Sequence, residues 1–185
     1  SILEVISDRP ISFEVFADEF EEMERQALEI AEWGDNVYVK IPITNTRQQS
    51  ASGLIQRLSS QGVRLNITAI LALDQVQEVA AAVQNGPASI VSVFAGRIAD
   101  TGVDPIPIMK DALAILQSAP NAELLWASPR EVLNIYQADA IGCDIITATN
   151  DLLQKLALAG KDLAEYSLET VRMFYNDAQK AGYEL

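Results

Sequence analysis

Short apolar, β-branched segments recur along the chain at residues 11–16, 37–43, 64–70, 89–94, 124–128 and 144–148, each followed by a longer stretch with helical periodicity. The pattern predicts six strand-helix steps. In the first helix Asp18 stands at a cap position, and Phe20, Met23, Ala27 and Ile30 follow at spacings of three and four, with acidic residues on the opposite face. Leu54, Ile55 and Leu58 mark a second helix. Asp74 is read as the cap of a third, which carries Val76, Val79, Ala80 and Val83. Pro129 is placed in the first turn of another helix. Residues 167–182 form an extra helix with Leu168, Val171, Phe174 and Tyr175 as an apolar stripe. No linker or low-complexity segment interrupts the series, which predicts a single domain.

Strands alternating with helices imply a mostly parallel sheet covered by helices, either an open doubly wound sheet or a closed barrel. The period does not choose between them. More informative is where polar residues fall within the strands, since side chains alternate between faces. Val37, Val39, Ile41 and Ile43 take one face, and Tyr38, Lys40 and Pro42 the other. The same alternation sets Ile11, Phe13 and Val15 against Ser12 and Glu14, Leu65, Ile67 and Ala69 against Asn66 and Thr68, and Val91 and Val93 against Ser92 and Phe94. Ser128 falls on the parity of Leu124 and Trp126. In a barrel one parity faces the helices and the other the lumen, with the active site at the C-terminal ends of the strands. Lys40, Glu14, Asn66, Thr68, Ser92 and Ser128 are expected to converge there.

Composition narrows the chemistry. The chain has 185 residues, 49% of them apolar, with 13 Lys and Arg against 26 Asp and Glu, a net charge of −13. That acidic balance argues against nucleic acid as the main partner but allows a small anionic ligand, for which two or three local arginines suffice. With no histidine, a Ser-His-Asp triad, a Cys-His pair and a His-ligated metal are excluded. The single Cys143 excludes an intramolecular disulfide and a Cys-x-x-Cys zinc site. No metal is expected. No Gly-x-Gly-x-x-Gly turn and no Gly-x-x-x-x-Gly-Lys-Ser/Thr loop is present, so no dinucleotide or ATP cofactor is expected. No membrane-spanning run and no N-terminal signal pattern is found, and the expected location is the cytoplasm.

Lys40 suggests the reaction type. An ammonium in a water-poor lumen pays desolvation, which favours the neutral amine, and neutral lysine attacks ketones. The resulting iminium is an electron sink that lets a neighbouring carbon–carbon bond break or form. Glu14, with Thr68 and a water, suits the accompanying proton transfers. A purely structural Lys40–Glu14 ion pair filling the lumen is the alternative.

These residues resemble a known family. Val39-Lys40-Ile41-Pro42-Ile43-Thr44 is similar to the Schiff-base lysine strand of transaldolases and the related fructose-6-phosphate aldolases. Ser12-Phe13-Glu14-Val15, Leu65-Asn66-Ile67-Thr68 and Ser92-Val93-Phe94-Ala95-Gly96-Arg97-Ile98 resemble successive strands of that (β/α)8 TIM barrel, and Ala127-Ser128-Pro129-Arg130 its phosphate-site turn. The resemblance spans nearly the whole chain in order. It implies that Lys40 forms the Schiff base, that Glu14 activates the catalytic water beside Thr68, and that Asn66 and Ser92 contact substrate hydroxyls. It also implies that Arg97, Ser128 and Arg130 hold a sugar phosphate. Alternatives stand beside these roles: Arg97 as a solvated loop residue, Ser128 and Glu131 as a helix capping box, and Phe94 as lumen packing. Within the family phenylalanine at this place goes with transaldolases and tyrosine with aldolases, so Phe94 and Glu14 favour transfer over simple cleavage.

The family begins with two further strands, one with a Leu-Asp-Thr segment and one with Thr-Asn-Pro, and neither precedes Ser12. The chain is therefore expected to supply about six of eight strand-helix units plus a C-terminal helix. The missing piece is expected to be cleaved, to lie outside these residues or to come from another chain, leaving open edges that invite association. A cofactor-free transaldolase acting on sugar phosphates is expected, with an aldolase or a non-catalytic sugar-phosphate binding module as alternatives. The closing helix suggests a homo-oligomer.

Overall fold

Each β-branched segment becomes a strand. In the computed structural model, which describes residues 2–182, β1 (Ile11–Glu14), β2 (Val37–Pro42), β3 (Leu65–Ile70), β4 (Ser89–Val93), β5 (Ala122–Trp126) and β6 (Ile145–Ile146) pair in parallel, in chain order. A short α1 (Ile2–Val5) precedes the sheet, and α2 (Phe20–Ala31), α3 (Ser52–Ser60), α4 (Leu73–Val83), α5 (Ala95–Asp100), α6 (Pro105–Leu116) and α7 (Leu133–Ile141) occupy the connections. The sheet curls into a partial (β/α)8 TIM-barrel type α/β fold, with β1 and β6 as its edges among the described residues.

The chain divides into two compact units, one ending at Ala148 and the other beginning at Thr149. The second contains α8 (Asn150–Lys155), a 3-10 turn (Leu156–Leu158) and α9 (Leu163–Ala181). Asp162 starts α9 by accepting from the amides of Ala164 and Glu165, so the helix begins earlier than the expected residue 167. The predicted stripe of Leu168, Val171, Phe174 and Tyr175 is exposed.

Alternation within the strands separates two cores. Val39, Ile41, Leu65, Ile67, Val91, Val93, Leu124 and Trp126 are fully buried together with Met23, Ala27, Leu58, Val79 and Met109 of the helices. Tyr38, Ile90, Leu125 and Ala127 form a smaller apolar cluster on the other face, with Phe94 and Ile145 against it. One strand departs from the expected alternation. Ala69 adopts φ 61° and the β3–β4 register shifts between Ile67 and Ile70, so Ala69 is exposed and Ile70 takes the buried position. A bulge of this kind resets side-chain direction after Thr68.

Three helix starts also differ from expectation. Asp18 does not cap α2. Its carboxylate accepts from the amide and hydroxyl of Thr46, both at 2.8 Å, because the loop after β2 offers two donors at once. Asp74 lies inside the first turn of α4, where Gln75 Oε1 accepts from the amides of Leu71 and Ala72 instead. Pro129 does not open α7, which begins at Leu133. Asn134 Oδ1 accepts from the amides of Arg130 and Glu131, and this replaces the Ser128–Glu131 capping box.

Two outcomes follow from this packing. Leu65→Ala removes a side chain with no solvent exposure between sheet and helices, and is expected to cost about 2–5 kcal/mol in urea unfolding. The carboxyls of Asp18, Glu19 and Asp100 are held below their ordinary values, chiefly by hydrogen bonds from Thr46, Arg47 and Arg130 respectively. A carboxyl lowered by folding contributes stability that is fully present above its unfolded value and is lost as pH falls through the folded one. Thermal stability is therefore expected to stay level above the ordinary 4.5 of Glu and to decline as pH drops through and below the 3.8 of Asp.

Candidate active site

Parallel pairing aligns residues by number across strands, and here it sets three polar residues side by side. Glu14 pairs with Lys40, Lys40 with Asn66, and Pro42 with Thr68. All point to the face opposite the helix-packed core. Lys40 Nζ donates to Glu14 Oε2 at 3.3 Å, with the two side chains 31% and 50% exposed. Lys40, Asn66, Thr68, Ser92, Phe94 and Ser128 line a cavity of about 720 Å³ on this inner face. The water-poor lumen expected around Lys40 is instead open, since about a third of the side chain meets solvent.

Behind the lysine the polar groups are buried and connected. Ser92 Oγ donates to Asn66 Oδ1 at 2.7 Å, and Asn66 Nδ2 donates to Ser12 Oγ at 2.9 Å, which fixes the amide orientation. Thr68 is 2% exposed, and its hydroxyl has no partner among the described residues. A buried hydroxyl without a partner is costly unless it bonds water or a ligand. Thr68 therefore offers a donor and an acceptor two residues along from Asn66.

The rim is built from the ends of β4 and β5. Ser128 reaches the cavity by a route other than the one expected, because β5 stops at Trp126 and Leu124 and Trp126 face the helices. Ser128 takes φ 59°, a left-handed turn that ends the strand alternation and swings its side chain to the cavity wall. Gly96 makes this turn possible, since a Cβ there would lie 1.5 Å from the Ser128 carbonyl oxygen. Arg97 and Arg130 are exposed and do not line the cavity wall. The Arg97 guanidinium sits 5.4 Å from the centre of the Phe94 ring. Arg130 is engaged by a carboxylate: Nε donates to Asp100 Oδ1 at 3.0 Å and Nη2 to Oδ2. Both arginines raise the local potential at Asp100.

With this geometry in place, comparison with known proteins gives a consistent answer. The family model described as "Transaldolase/Fructose-6-phosphate aldolase" matches residues 1–185. The chain belongs to the transaldolase/fructose-6-phosphate aldolase family. It is 32% identical over 183 residues to a protein named "Probable transaldolase" from Thermoanaerobacter sp., covering 97% of this chain and 78% of that one. Proteins of the same name from Brucella anthropi and Methanococcus maripaludis are also 32% identical, over 95% and 82% of this chain and 76% and 67% of theirs. Two solved mandelate oxidase structures, one with a monooxide FMN adduct and one with benzoyl-formic acid, match with TM-scores of 0.56 and 0.51. Their sequences are 18% and 15% identical, covering 93% and 86% of this chain and 58% and 61% of theirs. At that identity the likeness is one of fold.

As a member of this family the chain gathers Lys40, Glu14, Asn66, Thr68, Ser92, Phe94 and Ser128 at one face, and leaves Arg97 and Arg130 at the rim beside it. Sequence reasoning missed several neighbours. Ser12 closes the Asn66 network, and Arg9, Glu123 and Thr147 line the cavity. The parity of Ser12 was the available signal. Asp100 carries no strand or motif signal, since its pairing with Arg130 is a long-range contact. Among the described residues no three His, Cys, Asp or Glu side chains gather as a metal site, and no helix is long and apolar enough to cross a membrane.

Cys143 donates to the carbonyls of Leu124 and Ile145 at 3.3 and 3.4 Å, and burial pushes its thiol up from its ordinary value. It is packing rather than chemistry. Gly96→Ala is expected to force Ser128 off its turn and to cost about 1–3 kcal/mol, read as a lowered midpoint in thermal unfolding followed by circular dichroism.

Proposed function

We propose that this protein is a class I transaldolase that moves a dihydroxyacetone unit between sugar phosphates through a Schiff base on Lys40. The observation that carries the proposal is the 3.3 Å contact between the Lys40 amine and the Glu14 carboxylate at the edge of a sugar-sized cavity. An ion pair serving only as filler would not need a buried, partnerless Thr68 hydroxyl and an ordered Asn66–Ser92 pair alongside it.

The chemistry follows from these positions. The Lys40 amine, having lost a proton, adds to the keto carbon of the donor sugar, and the carbonyl oxygen takes up a proton to give a carbinolamine. Glu14, acting directly or through a water shared with Thr68, delivers the proton that lets this hydroxyl leave as water, which forms the iminium. Glu14, ionised once it has given up its proton, takes the proton of the donor's C4 hydroxyl through the same water, and the C3–C4 bond breaks. Its electron pair moves into the iminium, and an aldehyde departs. The remaining enamine attacks an acceptor aldehyde, and hydrolysis by water returns the amine. Asn66 and Ser92 orient substrate hydroxyls. Arg97, Ser128 and Arg130 hold the phosphate, a dianion that suits two guanidinium groups.

Borohydride reduction in the presence of fructose 6-phosphate is expected to fix a three-carbon adduct on the peptide containing Lys40. Lys40→Met is expected to abolish it, and Glu14→Gln to lower kcat by about 10²–10⁴-fold. A folded protein that yields no adduct would remove the mechanism. Product formation that depends on erythrose 4-phosphate indicates transfer, whereas free dihydroxyacetone without an acceptor indicates the aldolase reaction.

A further inference from the structure

Asp100 pairs with an arginine at the rim of the site. It ends α5, the segment that also carries Arg97, and it clamps Arg130 from the next strand's loop through Nε and Nη2 together. That edge of a guanidinium is the one a phosphate engages with two parallel hydrogen bonds. Ser128, two residues before Arg130, lines the cavity, and Phe94, under the Arg97 guanidinium, lines it as well. The protein's own carboxylate thus occupies the donor edge of a rim arginine, at the border of the site and within the field of a second arginine.

We propose that Asp100 is a built-in competitor for the phosphate of the substrate, and so a specificity-determining residue of the rim. This rests on the reading of Arg97 and Arg130 as the phosphate site. Both side chains of the pair are about half exposed, 48% for Arg130 and 52% for Asp100. Pairs this exposed are weak and exchange readily. A ligand must draw Arg130 away from Asp100 before using its paired donors. A singly charged carboxylate gains little by that exchange, because it replaces one carboxylate with another. A phosphate monoester brings more charge and a third oxygen to the same two arginines, so the exchange is favourable. Asp100 therefore weakens every anion that needs the paired donors of Arg130 by a similar factor, so that only an anion with strong grip on both arginines is retained. Apparent affinity scales with the fraction of protein whose binding edge is free.

The test is calorimetric titration of the protein with inorganic phosphate, combined with steady-state kinetics. Asp100→Asn keeps the shape and removes the charge. It is expected to tighten phosphate about two- to fivefold and to lower KM for fructose 6-phosphate by the same factor, while KM for unphosphorylated fructose as donor does not change. In an Arg130→Gln background the gain from Asp100→Asn is expected to vanish, because no clamp remains to release. The inference is overturned if Asp100→Asn weakens phosphate or leaves it unchanged, which would make the carboxylate a scaffold or a bystander. It is also overturned if the gain persists without Arg130, which would make it a general field effect. If Arg130→Gln alone leaves phosphate affinity intact, the phosphate site itself is elsewhere, and the reading beneath the inference fails with it.

Discussion

Parallel register across three strands is the constraint on which the site depends. Because Glu14, Lys40 and Asn66 share one row of the sheet, the spacing between amine, carboxylate and amide is set by backbone hydrogen bonds rather than by flexible side chains. Long side chains lose considerable conformational entropy when they are ordered, and starting from adjacent backbone positions reduces what the Lys40–Glu14 contact must overcome. The opposite faces of the same strands supply the apolar core that holds the register. Val39, Ile41, Leu65 and Ile67 are fully buried, and a one-residue slip would expose them while turning Lys40 into the core. Chemistry and stability are therefore enforced by the same alternation.

That alternation is also why much of the fold was legible. Six short apolar segments separated by helical periods leave few architectures other than a parallel sheet, and the lumen-facing residues Lys40, Asn66, Thr68 and Ser92 follow by counting along the alternating strands. What escaped depends on contacts between distant residues. Asp18 has the composition of a cap, yet two donors from Thr46 offer its carboxylate more than one helix amide would. Ala69 breaks the count through a bulge that no local pattern announces. Ser128 reaches the cavity although its parity assigns it to the core face, because a left-handed turn, tolerated only beside a glycine at position 96, ends the strand early.

The base of the site and its rim follow different physics. At the base, Asn66, Thr68 and Ser92 are buried, so each polar atom is strongly compelled to find a partner, and two of the three do so within the protein. The unmet hydroxyl of Thr68 is directed to whatever occupies the cavity. At the rim, Arg97 and Arg130 are solvated, and their pairings are exchangeable. A rigid base suits bond making, where small displacements are costly, and a labile rim suits capture and release.

The overall charge of −13 gives the rim further importance. An acidic protein repels a phosphate-bearing sugar at long range, and salt screens that repulsion over about 8–10 Å, so recognition must come from a local concentration of positive charge. On the proposed reading two arginines provide it, but placed alone on the surface they would attract every anion. A carboxylate set against one of them neutralises part of that attraction without removing the donors, leaving a site open to ligands with charge enough to displace it. If Arg130 holds the phosphate as proposed, Asp100 and Arg130 work as one unit, in which the acid sets the threshold and the guanidinium supplies the grip.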